Sequence, residues 1–155
     1  MKKGEDFHQD QVLREKARVG VIVLTPREVL LIKRFKDNRH YWVFPGGHKR
    51  KGEKLVETAV RELAEETNIK ASEKNLVKIL DYFSDYSQRR EIFYLLKLKK
   101  PLPVRIVGEE KLKNSPSNSY QPVWYSLEKL TEIKDSLYYI KAKNWLMNHF
   151  ESADH

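Results

Sequence analysis

Three glutamates, Glu62, Glu65 and Glu66, are the residues of this sequence whose types and spacing most clearly suggest chemistry. On an α-helix, side chains three and four positions apart share a face, so these carboxylates would crowd together. Like charges at that spacing destabilise a helix by roughly 0.2 to 0.5 kcal/mol per pair. A bound divalent cation would remove the repulsion, and carboxylate oxygens suit Mg²⁺ or Mn²⁺ better than zinc. A metal site is one interpretation, and a solvated acidic face is the other.

The charges around the three glutamates favour the metal site over the solvated acidic face. Solvated helix faces usually mix signs to gain ion pairs four residues apart. Within 55–69, however, Arg61 is the only cation. It is expected to pair with Glu57 or Glu65 on the helix, or to reach back to Glu53 at its start.

The segment LVETAVRELAEET, residues 55–67, predicts the helix that carries these acids. Val56, Val60 and Leu63 form its apolar stripe, and at about 100° per residue the acids lie roughly 140° around from it. We therefore expect the helix to be anchored by one face and to present its carboxylates from the other. The preceding FPGGHKRKGE supplies glycines that let backbone approach a ligand, although an ordinary strand-to-helix loop is the alternative.

From Gly47 to Ile69 the chain reads G-x5-E-x7-R-E-L-x-E-E-x-N-I. This 23-residue pattern resembles the signature of the Nudix hydrolases, G-x5-E-x7-R-E-U-x-E-E-x-G-U with U apolar. A looser likeness extends from about Arg18 to about Trp145. The one departure is Asn68, which stands where the signature has glycine. Asparagine is the next best residue for the left-handed conformation at a helix end, so the departure should cost little.

The resemblance implies an α+β fold, an α/β/α sandwich around a central mixed β-sheet. It implies hydrolysis of a nucleoside diphosphate linked to another moiety, with water attacking a phosphorus of the diphosphate bridge and one to three divalent ions, Mg²⁺ or Mn²⁺, assisting. By position, the metal ligands would be the Gly46 carbonyl, Glu62, Glu65 and Glu66. Glu53 would orient Arg61 and is a candidate outer ligand.

The attacking water usually needs a base on the far side of the phosphate. In many Nudix proteins this carboxylate comes from a distant loop, and here the polar segment 107–120 contains Glu109 and Glu110 beside a glycine. We expect Glu110 to be the base, with Glu109 or Glu65 as alternatives. Solvated loop acids balancing the neighbouring lysines are the other interpretation.

Five further residues are candidates for binding the substrate: Arg34, Lys33, Trp42, Asn118 and Tyr120. The two cations close a predicted strand and could touch phosphate or simply be solvated. Trp42 and Trp124 could stack on a base, and core packing is the alternative for either of them. The last two candidates lie in SNSYQPVW, which resembles a segment of many Nudix proteins, where they would shape the pocket or brace the loop.

Length, composition and charge limit the number of domains and the kinds of partner. A chain of 155 residues is expected to form a single domain, residues 1–155, large enough for a proper core. It has no apolar run long enough for a transmembrane helix, no N-terminal segment of signal-peptide type, and no cysteine for disulfides or thiolate ligands. The net charge of +8 permits a polyanionic partner, but the lysines are spread along the chain.

Composition predicts a cytoplasmic protein that binds no membrane, and the resemblance implies a small nucleotide-type substrate. Nucleic acid is a less favoured partner, and a homodimer is an open alternative. Candidate substrates are nucleoside triphosphates, nucleotide sugars and dinucleoside polyphosphates, with loose base selection. The rival functions are a catalytically weak nucleotide-binding sensor on the same fold and an RNA 5′-end pyrophosphohydrolase.

The elements that must position these residues alternate between strands and a few helices. A hairpin is predicted over 18–35, with further strands at 41–45, 75–87, 90–100 and 122–126. Besides the acidic helix, 127–133 and 138–150 have helical patterns, and the polar stretch 107–121 is predicted as a loop.

Overall fold

The structure, a computed structural model, describes residues 17–108 and 114–153. Eight strands within these residues form one mixed β-sheet. Their bounds are β1 Arg18–Leu24, β2 Glu28–Lys36, β3 Arg39–Val43, β4 Gly46–His48, β5 Val77–Ser84, β6 Arg89–Lys97, β7 Asn118–Ser126 and β8 Leu137–Tyr138. The helices are α1 Leu55–Thr67 and α2 Ile140–Ala153, with short 3-10 helices at Glu73–Asn75 and Leu127–Glu132.

The sheet opens between its two central strands. The strand order is β5-β6-β1-β2-β3-β8, with β4 paired to β1 and β7 paired to β2. β1 and β2 pair beside their turn, where Leu24 lies opposite Val29. Further along, β4 runs beside the start of β1, while β3 runs beside the end of β2. The predicted hairpin strands are therefore present, but they separate and leave room for a cleft.

Side chains alternate between the two faces of the sheet, and each face is covered by a helix. Val19, Val21 and Val23 of β1 pack with Ala59 and Leu63 of α1, all of them fully buried. On the other face, Ile22 and Leu24 pack with Ala142 and Leu146 of α2. The expected α/β/α sandwich with a mixed sheet is confirmed.

Several boundaries differ from the sequence-based expectation because pairing across the sheet sets them. β7 begins at Asn118, inside the predicted loop, since it pairs with β2 over nine residues. The predicted helix at 127–133 is a 3-10 helix. β4 and β8 span only three and two residues, which is too short for a periodic pattern in the sequence. Among the described residues, no helix is long and apolar enough to cross a bilayer.

Candidate active site

A cleft of about 590 Å³ lies where β1 and β2 separate. Arg61, Glu62, Glu65 and Glu66 of α1 line one wall. Strands contribute the opposite walls, with Arg18 from β1, Arg34 and Lys36 from β2, Tyr41 from β3 and Tyr120 from β7. Residues 46–50, in β4 and the loop after it, form the floor next to the acids.

The acidic face of α1 lines the cleft, and two of its three glutamates are buried, which the sequence-based expectation did not include. Glu62 and Glu66 are only 6% and 9% exposed, whereas Val56 and Val60 of the predicted apolar stripe are partly buried. The reason is that the chain preceding the helix covers its acidic face. A Cβ on Gly47 would overlap the Glu62 carboxyl group, and the Gly46 N–H donates to Glu66 Oε2 at 3.3 Å.

Arg61 connects the start of the helix to the acid cluster. Its Nε donates to Glu53 Oε2 at 2.7 Å, and its Nη2 donates to Glu53 Oε1 at 3.0 Å. Its Nη1 donates to Glu62 Oε1 at 2.7 Å and to Glu65 Oε2 at 3.4 Å, and Nη2 also reaches the His48 carbonyl at 3.0 Å. The predicted pairing of Arg61 with Glu53 is therefore present, and it ties the glycine-rich loop to the helix.

The pKa values of this pair move in opposite directions. The hydrogen bonds from Arg61 lower the pKa of Glu53 to about 2, helped by the Arg50 N–H and the Thr58 hydroxyl. The hydrogen bond to Glu53 raises the pKa of Arg61 above its ordinary value. Both shifts favour the charged forms, so the ion pair is formed at neutral pH.

The donor set suits a divalent cation. Glu53, Glu62 and Glu65 pair with Arg61, and Glu66 accepts the Gly46 N–H beside them. These four carboxylates and one guanidinium have a formal charge of −3, from −4 and +1. Arg50 approaches Glu65 only to 3.9 Å. As these side chains are placed, no three acidic or histidine groups of the described residues converge on a single point. Glu62 and Glu65 are turned toward Arg61 instead, so metal ligation would replace those ion pairs.

Gly46, the fourth predicted ligand, lies in β4 opposite Gly20 and lines the cleft beside the acids. A Cβ at this position would overlap the backbone of Val19 and Gly20. Only glycine therefore allows β4 to sit this close to β1. The close pairing places a peptide group, with its hard oxygen donor, next to the carboxylates.

Arg34, Asn118 and Tyr120, predicted as substrate-binding residues, are brought together on the opposite wall. The Arg34 side chain is 6% exposed, and its guanidinium lies 3.5 Å from the centroid of the Tyr120 ring. Its Nη2 donates to Asn118 Oδ1 at 3.1 Å. This cation is therefore fixed in orientation, which suits recognition of an anion.

Lys33 and Trp42 do not join this wall, and the alternation of strand side chains explains why. Lys33 is exposed, with its Nζ 5.8 Å from the Trp42 ring. Trp42 packs edge-on against Tyr125, with ring centroids 5.2 Å apart, beside the α2 core. Trp124 packs beside the α1 core and donates to the Leu102 carbonyl at 2.8 Å. The expected base stacking by a tryptophan therefore gains no support, and core packing accounts for both rings.

The sequence-based prediction missed several residues that line the cleft, among them Arg18, Lys36, Tyr41 and Tyr139. Two of these residues could have been identified from the sequence. Lys36 is two residues after Arg34, so the two side chains lie on the same face of β2, and Tyr41 lies opposite Arg34 on the paired strand β3. Arg18 and Tyr139 are far apart in sequence and meet only through the topology, with the Arg18 guanidinium 4.9 Å from the Tyr139 ring centroid.

Glu110, the predicted base, and its alternative Glu109 lie outside the described residues. The chain leading to them runs along the helix. The Val107 N–H donates to the Glu65 carbonyl at 2.7 Å, and a Cβ on Gly108 would lie 3.3 Å from Glu65 Cγ. Residue 108 is therefore in contact with the acid wall of the cleft.

Comparison with known proteins agrees with this geometry. The NUDIX domain model matches residues 14–146. An RNA pyrophosphohydrolase from Pelagibacter ubique (strain HTCC1062) is 28% identical over 126 residues, covering 74% of this chain and 78% of that protein. An asymmetrical bis(5′-nucleosyl)-tetraphosphatase from Mus musculus is 34% identical over 73 residues, covering 44% of this chain and 50% of that protein.

Among solved structures, a bifunctional NMN adenylyltransferase/ADP ribose pyrophosphatase from Francisella tularensis, complexed with AMP and a manganese ion, has a TM-score of 0.65. It is 18% identical, and the match covers 95% of this chain and 47% of that one. This likeness shows the fold. The chain thus spans about half the length of the mouse and Francisella proteins, and more than three quarters of the Pelagibacter protein.

Proposed function

This chain belongs to the NUDIX domain family and is a Nudix hydrolase, and we propose that its cleft cleaves the diphosphate bridge of a nucleoside diphosphate derivative. One observation carries the proposal. Glu62, Glu65 and Glu66 line one wall of a cleft of about 590 Å³ beside Arg61, and a fixed cation, Arg34, lines the opposite wall. Such a cleft offers donors for a metal on one side and an anion contact on the other.

We assign Mg²⁺ or Mn²⁺ to the acidic wall, held by the Gly46 carbonyl, Glu62, Glu65 and Glu66. When bound, such an ion neutralises phosphate charge and makes water a better nucleophile at neutral pH. Arg61 acts through Glu53, because their two hydrogen bonds hold the loop against the helix. The buried Gly46 N–H bond to Glu66 fixes one ligand before substrate arrives.

In the reaction, the water oxygen bonds to one phosphorus and the bond from that phosphorus to the bridging oxygen breaks. The bridging oxygen leaves with the other phosphate, and the proton of the water passes to a carboxylate base. We propose Glu110 for this base, with Glu109 or Glu65 as alternatives. Gly108, in contact with Glu65, supports a contribution to the site from this part of the chain.

On the opposite wall, Arg34 would donate to phosphate oxygens while Tyr120 and Asn118 hold its guanidinium. The candidate substrates are nucleoside triphosphates, nucleotide sugars and dinucleoside polyphosphates. An RNA 5′-end pyrophosphohydrolase is the second candidate, favoured by the 28% identity to the Pelagibacter RNA pyrophosphohydrolase over 74% of this chain. A nucleotide-binding sensor would bind the same ligands without turnover.

A substrate panel with Mg²⁺ or Mn²⁺ tests the proposal. It would contain nucleoside triphosphates, ADP-ribose, nucleotide sugars, dinucleoside polyphosphates and capped or triphosphorylated RNA. Glu66→Gln should lower kcat on the best substrate at least about a hundredfold while the circular dichroism spectrum is unchanged. Glu128→Gln, at an exposed acid of the second 3-10 helix, is the matched control. Near wild-type turnover by Glu66→Gln would contradict the metal assignment.

Location and assembly stay predictions. We propose a cytoplasmic protein from its lack of cysteine. A homodimer is supported only by the exposed Val77 and Phe83 side chains, 59% and 52%, on the outer strand β5. Light scattering after size exclusion would decide between a monomer and a dimer.

A further inference from the structure

Two arginines on different walls of the cleft carry guanidinium N–H groups without an acceptor. Arg18 Nε and Arg34 Nη1 are buried and have no hydrogen-bond partner among the described residues. Both residues line the cleft. An unpaired buried donor of a charged group is costly and rare, so such groups often await a ligand. The proposed function already uses Arg34, but it gives Arg18 no role.

Arg18 is held at its wall by aromatic and polar neighbours. Its guanidinium lies over the Tyr139 ring, and Arg89 Nη2 donates to the Tyr139 hydroxyl at 3.4 Å. Its partner across the parallel strand β6 is Glu91, which is 3% exposed. Glu91 accepts hydrogen bonds from the Tyr82 hydroxyl at 2.7 Å and the Ser87 hydroxyl at 3.2 Å. The contact with the Tyr139 ring thus positions the Arg18 side chain before any ligand binds.

Charge is distributed unevenly along the cleft. All three acids that line it in the described parts of the chain, Glu62, Glu65 and Glu66, belong to α1. Three cations, Lys49, Arg50 and Arg61, lie on the side of these acids. The strand walls contribute Arg18, Arg34 and Lys36 with no acid among the described lining residues. A diphosphate bridge held at the acidic wall by metal would leave part of this positive charge uncompensated. The strand walls therefore suit a substrate with more phosphate than the bridge itself contains.

We propose that Arg18 determines specificity by binding a phosphate beyond the cleaved bridge, so that this chain prefers three or more consecutive phosphates to two. This inference rests on the proposed function, since it takes the cleft as the hydrolytic site. The recognised chemistry is a chain of at least three phosphates. Nucleoside triphosphates, dinucleoside polyphosphates with three or more phosphates, and 5′-triphosphate RNA all contain it, whereas ADP-ribose and nucleotide sugars do not.

Diadenosine di-, tri-, tetra- and pentaphosphate form the sharpest substrate series, because only the phosphate number changes. For the wild type, kcat/KM should rise at least about tenfold from two to four phosphates, a factor that matches one charge-assisted hydrogen bond. Arg18→Gln should remove most of this rise in kcat/KM, and the loss should come from a higher KM more than from a lower kcat. For diadenosine diphosphate, kcat/KM should change less than about threefold. Arg27→Gln is the matched control, because it removes the same charge from an exposed turn outside the cleft.

A binding measurement separates recognition from catalysis. In buffer with EDTA, titration calorimetry should show ATP binding at least about fivefold tighter than ADP, and Arg18→Gln should narrow that ratio. Arg18→Lys should restore only part of it, since lysine lacks the planar donors. If Arg18→Gln does not fold, Tyr139→Leu, which removes the aromatic support, should narrow the ratio instead.

The outcomes distinguish failure of this inference from failure of the proposed function. Turnover that is independent of phosphate number, or a uniform loss across the series in Arg18→Gln, overturns the inference and leaves the hydrolase intact. No hydrolysis of any panel member overturns the proposed function. Comparing ATP with a 5′-triphosphate RNA oligonucleotide identifies the source of the phosphate chain, and an Arg18-dependent preference for either one supports the inference.

Discussion

At the scale of single residues, a substitution of Arg61 distinguishes a residue that positions the loop and helix from a residue that binds the metal. Arg61→Lys keeps the charge but loses the planar fork that contacts Glu53 twice. We expect kcat to fall at least about tenfold, while the dissociation constant for Mn²⁺, measured by calorimetry, changes less than about threefold. Arg90→Lys is the matched control. Arg90 makes the same two-pronged contact with Asp81, at 2.8 and 2.6 Å, outside the cleft. Equal losses in both variants would contradict the positioning role.

Gly47 is a second test at this scale, because the space beside it is filled by the Glu62 carboxyl group. Gly47→Ala should displace that carboxylate and lower kcat between about tenfold and a hundredfold. Gly52→Ala provides the contrast, since nothing lies within 4 Å of its Cβ but its φ is 84°. It should cost about 1 kcal/mol of stability and leave kcat per folded molecule nearly unchanged. Unchanged turnover in Gly47→Ala would mean that Glu62 has no part in the reaction.

At the scale of elements, α1 ends at the single departure from the family signature, Asn68 in place of glycine. Asn68 has φ 64° and ψ 15°, and its N–H donates to the Ala64 carbonyl at 2.9 Å, as expected for a left-handed C-terminal residue. Asn68→Gly should therefore stay within about 0.5 kcal/mol of the wild type in urea unfolding. Asn68→Ala should lose about 1 kcal/mol, because alanine is strained in this conformation. Equal stabilities for the two variants would contradict this account of the departure.

The elements also show which parts of the fold the sequence predicts. α1 was predicted over its observed range, since a long periodic segment ending in Asn68 defines a helix locally. β4 was missed because its three residues are a strand only through pairing with β1. The same pairing covers the acidic face of α1, so the burial of Glu62 and Glu66 was missed as well. Local patterns predict elements, whereas their contacts depend on partners distant in sequence.

At the scale of the whole molecule, the site is assembled from parts that the sequence does not bring together. The acids and Arg61 lie within one segment, which is why their spacing identified them. Arg18 and Tyr139 meet only because β1 and the start of α2 converge on the opening in the sheet. Lys33 is exposed, in line with the second of its two predicted roles, and the sequence could not decide between them because the face that a strand side chain occupies depends on register. The residues of the acidic wall were therefore predictable from their spacing, and those of the strand walls were only partly so.

The stability of the whole molecule should depend on pH through Glu53. Its pKa is lowered from 4.5 to about 2, mainly by the hydrogen bonds from Arg61. Because the folded pKa lies below the unfolded one, the stabilisation is fully present above about pH 4.5. It is lost as the pH falls toward 2. Asp81, whose pKa is lowered by Arg90, changes stability in the same direction.

Urea unfolding in EDTA between pH 7 and pH 3 measures this contribution. At neutral pH the wild type should exceed Glu53→Gln by about 1 to 2 kcal/mol, after allowance for solvent screening of a partly exposed pair. The difference should hold down to about pH 5 and shrink by more than half at pH 3, where the unfolded chain binds a proton that folded Glu53 still excludes. Glu128→Gln should follow the wild type throughout, since its side chain is exposed. A difference that stayed constant to pH 3 would show that the ion pair with Arg61 does not stabilise the fold through the charge of Glu53.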